Sequence, residues 1–321
     1  MGIRQKSAPK IVFLIGPTAI GKTRLAVGLS KKIKGEIVSC DSMQVYRNMR
    51  ILSRAPSQEG RGGTEHHLLE FVSPEREFSV SEFRKSATEK IERIIERGKI
   101  PIVVGGSGLY AKALVDGLFP SPDADANFRK RMQGYIATYG YAALYRKLVD
   151  IDPASAARIH PHDSRRVIRA LEIYHSTKKT MTELKAETVG LKDKFDIRIF
   201  GLRGPRARLY EDINERVEEM FGEGAVEEVE RLMKRRLSKT AAAVLGFKEI
   251  AAYLKGECSM EEAKSLLMRN TRRFAKRQLA WFRPDKRISW FDVSRMSEKR
   301  IIEAIRKELC QRKAKNVLRL G

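Results

Sequence analysis

Eight residues, Gly16-Pro17-Thr18-Ala19-Ile20-Gly21-Lys22-Thr23, fit the pattern GxxxxGK[ST] without a mismatch. Their surroundings limit the fold. The preceding run Lys10–Ile15 (KIVFLI) is short, continuous and apolar, as a strand buried on both faces must be. Leu25, Leu29 and Ile33 then recur at helical spacing, and a second strand pattern follows at 36–40. Strand, glycine turn, helix and strand make a βαβ unit, which commits the chain to a parallel sheet covered by helices. In that setting the glycines let backbone N–H groups turn inward around a phosphate, and the helix N-terminus adds its dipole. Lys22 supplies charge and Thr23 a hydroxyl for Mg²⁺. The motif implies a di- or triphosphate without saying which. The absence of an NKxD motif argues against a GTPase. No apolar strand ending in Asp lies far downstream, which argues against a motor ATPase.

Further α/β pattern follows. A helix is expected over 79–98, with Phe83, Ile91, Ile94 and Ile95 apolar, then a strand over 101–104 that ends in Gly105-Gly106-Ser107-Gly108. Strands are also expected at 195–202 and 288–293. From Ala126 to about Lys185 the periodicity turns helical, with Val167, Leu171 and Tyr174 on one stripe. The expected architecture is α/β: a P-loop NTPase-like parallel sheet core with a helical insertion domain. Its parts are core 1–122, insertion 123–195, core 196–310 with basic helices, and a basic tail 311–321 holding Arg312, Lys313, Lys315 and Arg319.

Ligands of open parallel sheets sit beyond the carboxyl ends of the strands. The phosphate loop, Asp41-Ser42 and Gly105–Gly108 all fall there. Asp41 ends a strand returning from the phosphate-loop helix, so its carboxylate stands beside the bound phosphates. It suits a kinase that orients an acceptor hydroxyl, or any transfer whose nucleophile must lose a proton. The glycine turn would let a large flat substrate approach the backbone. His66-His67 lack a carboxylate or cysteine at metal spacing and read as core or turn residues.

The charge narrows the choice. The chain has 64 Lys+Arg against 40 Asp+Glu, a net +24, which suits a polyanionic partner such as nucleic acid. No acid occurs between Lys264 and Arg283, where Arg269, Arg272 and Lys276 share a helix face, with Phe274 and Trp281 seven apart for packing. A second basic set runs from His160 to Arg169. The 321 residues, 42% hydrophobic, can bury a core. No apolar run reaches membrane-spanning length, and three scattered cysteines suggest a reducing, intracellular setting.

At this point the chain resembles the tRNA dimethylallyltransferase (tRNA isopentenyltransferase) family. The matching pieces are GPTAIGKT (16–23), DSMQVY (41–46), HH (66–67), GKIPIVVGGSGLY (98–110), HPHDSRRVIRALEIY (160–174), INERVEEMF (213–221), GFKE (246–249) and AKRQLAWFR (275–283), in family order. The resemblance implies transfer of a dimethylallyl group from dimethylallyl diphosphate to N6 of adenine 37, beside the anticodon, in tRNAs reading codons that begin with U. It implies that Gly16, Thr18, Ala19, Ile20, Gly21, Lys22 and Thr23 hold the diphosphate, with Mg²⁺ near Thr23. Asp41 would be the general base, and Thr18 and Arg216 would bond the leaving diphosphate. Asp41, Ser42, Met43 and Gln44 would meet the flipped-out adenine. Ser107, Arg129, His162, Asp163, Ser164, Arg165, Arg166, Lys276, Arg277 and Gln278 would contact the tRNA anticodon stem-loop, with the insertion as a gripping lobe. A monomeric, cytoplasmic enzyme follows. Two departures stand out: Ser107 replaces the threonine of many members, and Leu52-Ser53-Arg54-Ala55-Pro56 stands where members often read GTAKP. A small-molecule P-loop kinase and an adenylate isopentenyltransferase acting on free nucleotide are the alternatives.

Overall fold

The computed structural model describes residues 8–119, 122 and 125–310. The basic tail 311–321 lies outside them. Six strands form one sheet: β1 Lys10–Ile15, β2 Gly35–Ser39, β3 His66–His67, β4 Ile100–Gly105, β5 Asp196–Arg203 and β6 Ile288–Asp292. Their order is β3-β2-β4-β1-β5-β6, and every pairing is parallel. A buried parallel sheet needs apolar residues on both faces. β1 obeys this: Ile11, Val12, Phe13 and Leu14 are all fully buried.

Thirteen α-helices occur among the described residues. The first four are α1 Lys22–Ile33, α2 Arg50–Ser53, α3 Val80–Glu96 and α4 Gly108–Val115. α1 turns Leu25, Ala26 and Leu29 onto Val12, Leu14 and Ile102 of the sheet. α3 starts where a capping box dictates: Ser79 Oγ accepts from the Glu82 N–H, and Glu82 accepts from the Ser79 N–H. Its buried stripe is Phe83, Ala87, Ile91 and Ile94.

The chain divides into two compact units. One takes the residues up to Val115 and those from Lys194 onward; the other is Asp116–Asp193. The second unit holds α5 Ala126–Ile151, α6 Pro153–Ala156, α7 Ser164–Thr177 and α8 Met181–Ala186, and no strand among its described residues. Phe128, Leu144, Leu148, Val167 and Leu171 form its core. Gly140, at φ 79°, breaks α5 in two. The insertion expected from the periodicity spans 123–195. The first unit is completed by α9 Arg206–Gly222, α10 Ala225–Met233, α11 Phe247–Leu254, α12 Met260–Phe282 and α13 Glu298–Cys310.

One buried charge fixes the edge of the sheet. Glu36 is 3% exposed and accepts from His67 Nε2 at 2.7 Å, Arg97 at 2.6 Å and Lys99 at 2.7 Å. The histidine pair read as core or turn residues is therefore the edge strand β3, anchored to β2 through this carboxylate. Burial alone would raise the Glu36 pKa, but hydrogen bonds from Lys99, His67 and Arg97 outweigh it and hold it down to about 2. Since this lies below the unfolded value, the group adds stability above about pH 4.5 that fades as pH falls toward 2. Glu36→Gln is expected to lower unfolding free energy at pH 7 by about 3 kcal/mol. Urea titrations should show the gap between variant and wild type closing as pH falls from 4.5 toward 2.

Candidate active site

The carboxyl ends of β1, β2, β4 and β5 open onto a cavity of about 1120 Å³, lined entirely by the first unit. Its floor is the phosphate loop. Gly21 sits at φ 85°, in the left-handed region that a side chain resists, and there the chain turns from loop into α1. Thr18, Ala19, Ile20, Gly21, Lys22 and Thr23 all line the cavity. Lys22 Nζ donates to the Pro17 carbonyl at 2.6 Å. Thr23 is half-buried, and its hydroxyl makes no hydrogen bond among the described residues, which leaves it free to take a cation. No cluster of three His, Cys, Asp or Glu occurs among the described residues. Were Mg²⁺ to bind here, Thr23 would supply a hydroxyl, with water and ligand phosphates taking other positions.

β2 delivers Asp41. Its Oδ1 accepts the Met43 N–H at 2.8 Å, a local turn that pins the carboxylate. Burial raises its pKa, only partly offset by the Met43 N–H, Lys22, the Gln44 N–H and Arg216. Arg216 arrives from α9, and its Nη1 donates to Thr18 Oγ1 at 3.1 Å. Burial and then Arg54 lower its pKa to about 10, so it stays charged near neutrality. Burial, then Arg216, lower Lys22 to about 7. Two cations thus converge beside the loop with one carboxylate near them, an arrangement that favours an incoming polyanion. Asp41, Thr18, Lys22 and Arg216, expected to work together, are brought together.

The turn after β4 behaves otherwise than expected. A Cβ on Gly105 would stand 1.9 Å from the Cys40 carbonyl oxygen, and one on Gly106 would stand 2.1 Å from Gln278 Nε2. The glycines admit the protein's own groups rather than a flat substrate. Gln278 is 6% exposed; its Oε1 accepts the Thr18 N–H at 2.8 Å and its Nε2 donates to the Gly106 carbonyl at 3.1 Å. It therefore ties α12 to the phosphate loop, whereas its neighbours Lys276 and Arg277 are exposed. Arg277 lies over Phe274, 5.7 Å from the ring centroid, and both line the cavity. Trp281, expected to pack, is 43% exposed with one edge against Gly108. Ser107 Oγ accepts the Ser42 N–H at 3.2 Å, joining the ends of β4 and β2.

The remaining candidates lie in the second unit. Arg129 makes two 2.9 Å hydrogen bonds to the fully buried Glu172, so much of its role is structural. Asp163 caps α7 by accepting the Arg166 N–H. His162, Arg165 and Arg166 are exposed, and Ser164 is half-buried.

Several site residues carry no motif. Arg54, inside the departing segment, lines the cavity and pairs with Glu219 on α9 at 3.1 Å and with Glu223, just past its end, at 2.9 Å. Gln44 holds the same loop, donating to the Arg54 carbonyl at 3.1 Å and accepting from Ser39 Oγ at 2.9 Å. Glu228 is 4% exposed and accepts the Ile51 and Leu52 N–H groups at 3.0 and 2.9 Å. The departure from GTAKP was a signal for Arg54. Glu228 gave none, because it stands in the acidic run Glu227-Glu228. An apolar wall of Met43, Val217, Met220, Val244, Leu267 and Phe274 completes the cavity.

A family model described as IPP transferase matches residues 44–285. The tRNA dimethylallyltransferase of Halothermothrix orenii is 45% identical over 300 residues, 92% of this chain and 92% of that protein. That of Geobacter sulfurreducens is 45% identical over 294 residues, 91% of this chain and 94% of the other. Among solved structures, the full-length tRNA isopentenylpyrophosphate transferase from Bacillus halodurans is 39% identical, with a TM-score of 0.69 over 94% of this chain and 95% of that one. A eukaryotic dimethylallyltransferase acting on tRNA superposes with a TM-score of 0.79 at 28% identity, over 97% of this chain and 82% of that one.

Proposed function

The chain belongs to the IPP transferase family, and from that membership and the geometry of the cavity we propose that it transfers a dimethylallyl group from dimethylallyl diphosphate to N6 of adenine 37, beside the anticodon, in tRNAs reading codons that begin with U. It is a tRNA dimethylallyltransferase, a prenyltransferase. One observation carries the mechanism: the half-buried Asp41 carboxylate, pinned by the Met43 N–H and lining the cavity, stands within electrostatic reach of Lys22 and Arg216 at a phosphate loop. The diphosphate rests on the loop amides and Lys22, and the prenyl chain lies along the apolar wall. The adenine must leave its stack to reach the cavity, which an anticodon loop allows cheaply. As N6 bonds to the first prenyl carbon, the C–O bond to the diphosphate breaks and the N6 proton passes to Asp41. Thr18, Lys22 and Arg216 stabilise the charge growing on the leaving group. Thr23 and the diphosphate oxygens would hold Mg²⁺, which when bound neutralises part of that charge.

No helix among the described residues is long and apolar enough to cross a membrane. Three unpaired cysteines support a cytoplasmic setting. Incubation with unmodified tRNA and carbon-labelled dimethylallyl diphosphate tests the function. Label in the tRNA, with none in free AMP, is the expected result; label in AMP alone would favour the free-nucleotide alternative. Lys276→Ala with Arg277→Ala is expected to weaken tRNA binding and flatten its salt dependence. An unchanged slope would remove both from the interface.

A further inference from the structure

The packing of α9 against α12 is charged differently at its two ends. At one end Lys264 has a counter-ion: it donates to Glu218 at 2.7 Å while lying over the Phe221 ring. At the other end two arginines from different helices meet one aromatic ring. Arg206 and Arg272 lie over Tyr210, 5.0 and 5.6 Å from its centroid, and Arg206 Nε donates to the Tyr210 hydroxyl at 2.9 Å. Neither arginine makes an ion pair among the described residues. The acids that follow Tyr210, Glu211 and Asp212, are taken by Arg208 at 3.6 and 3.0 Å.

Holding two guanidinium groups near one ring, without a carboxylate, leaves positive charge uncompensated. The ring and its hydroxyl order the groups in advance, so little side-chain entropy remains to be lost when an anion arrives. Tyr210 itself is packed against the main core, which makes it a fixed platform. From these contacts we infer that Arg206, Tyr210 and Arg272 form a phosphate-binding site for the backbone of the RNA substrate. The inference rests on the tRNA reading above and extends it to residues that carry none of its motif assignments.

RNA is favoured over the prenyl donor by position. Arg206, Tyr210 and Arg272 are not among the residues that line the cavity, although Arg208 and Thr271 beside them are. The donor's diphosphate already has its cradle inside. A second place for phosphate outside the cavity suits a ligand that is itself a chain of phosphates. Along α12 the exposed Arg269 and Lys276 continue the same face as Arg272, giving the backbone a track.

Binding of unmodified tRNA, measured from low to high salt, tests this with Arg206→Ala, Arg272→Ala, the double variant and Tyr210→Leu. The double variant is expected to bind about tenfold more weakly near physiological salt, with a log–log slope shallower by about one to two. Tyr210→Leu keeps the packing but frees both guanidinium groups, and is expected to weaken binding with less change of slope. KM for dimethylallyl diphosphate and kcat at saturating tRNA should stay at wild-type values in the double variant. Circular dichroism melts verify the fold. Wild-type slope and affinity in the double variant would overturn the site while leaving the functional reading intact. A raised KM for the prenyl donor at unchanged tRNA affinity would also overturn it, by assigning the pair to the small molecule. Failure of the wild-type protein to bind tRNA would overturn the functional reading and this site with it.

Discussion

Asp41→Asn is expected to lower the transfer rate about a thousandfold and to leave tRNA affinity close to wild type, the loss that follows when a positioned general base is removed. Asparagine is nearly isosteric, and its amide oxygen still accepts the Met43 N–H that pins Asp41. The loop should therefore keep its shape, and the loss should appear in kcat. The pH profile gives a second reading of the same group. Burial raises the Asp41 pKa in the free protein, so the acid limb of kcat/KM should lie above the ordinary aspartate range, with the rate falling as pH drops. That limb should vanish in the variant. A variant with wild-type turnover would show that Asp41 takes no proton.

Arg216→Ala should cost kcat about a hundred- to thousandfold, in the range seen when a donor to a developing oxyanion is removed. Its guanidinium is half-buried and reaches Thr18 on the phosphate loop. Burial first, and then the Arg216 charge, depress Lys22 to about 7. In the free protein these cations oppose one another, and a bound diphosphate relieves the opposition. Inorganic pyrophosphate should accordingly raise the melting temperature of the wild type and do so much less for Arg216→Ala. Arg216→Lys should recover part of the rate, since it restores charge without the planar fork. Equal stabilisation of wild type and Arg216→Ala by pyrophosphate, with unchanged kcat, would place the leaving group elsewhere.

What the sequence made legible was local. The phosphate loop, the strand before it and the capping box of α3 are encoded within a few residues, so each could be read in place. Asp41 was readable because a βαβ unit fixes where its second strand must end. The sheet order was not readable, because nothing in β2 says that β4 will lie between it and β1. β3, two residues long, shows no alternation to detect. Gln278 was expected, through the resemblance, among the tRNA contacts. Only the fold reveals that its amide spans from Thr18 to Gly106, across separations of 260 and 172 residues. Glu228 is hidden for the same reason, and so is the pairing of Arg54 with Glu223, their partners lying more than a hundred residues away. The apolar wall is assembled from four separate segments, none with a motif of its own.

A donor labelled in both halves distinguishes this account from phosphate transfer most directly. Dimethylallyl diphosphate carrying one label in its carbon chain and another in its terminal phosphate is incubated with unmodified tRNA, and both labels are followed. The expected result is the carbon label on N6 of a single adenine beside the anticodon, with the phosphorus label released as intact pyrophosphate. Phosphorus label on the acceptor, or carbon label remaining on the diphosphate, would contradict it.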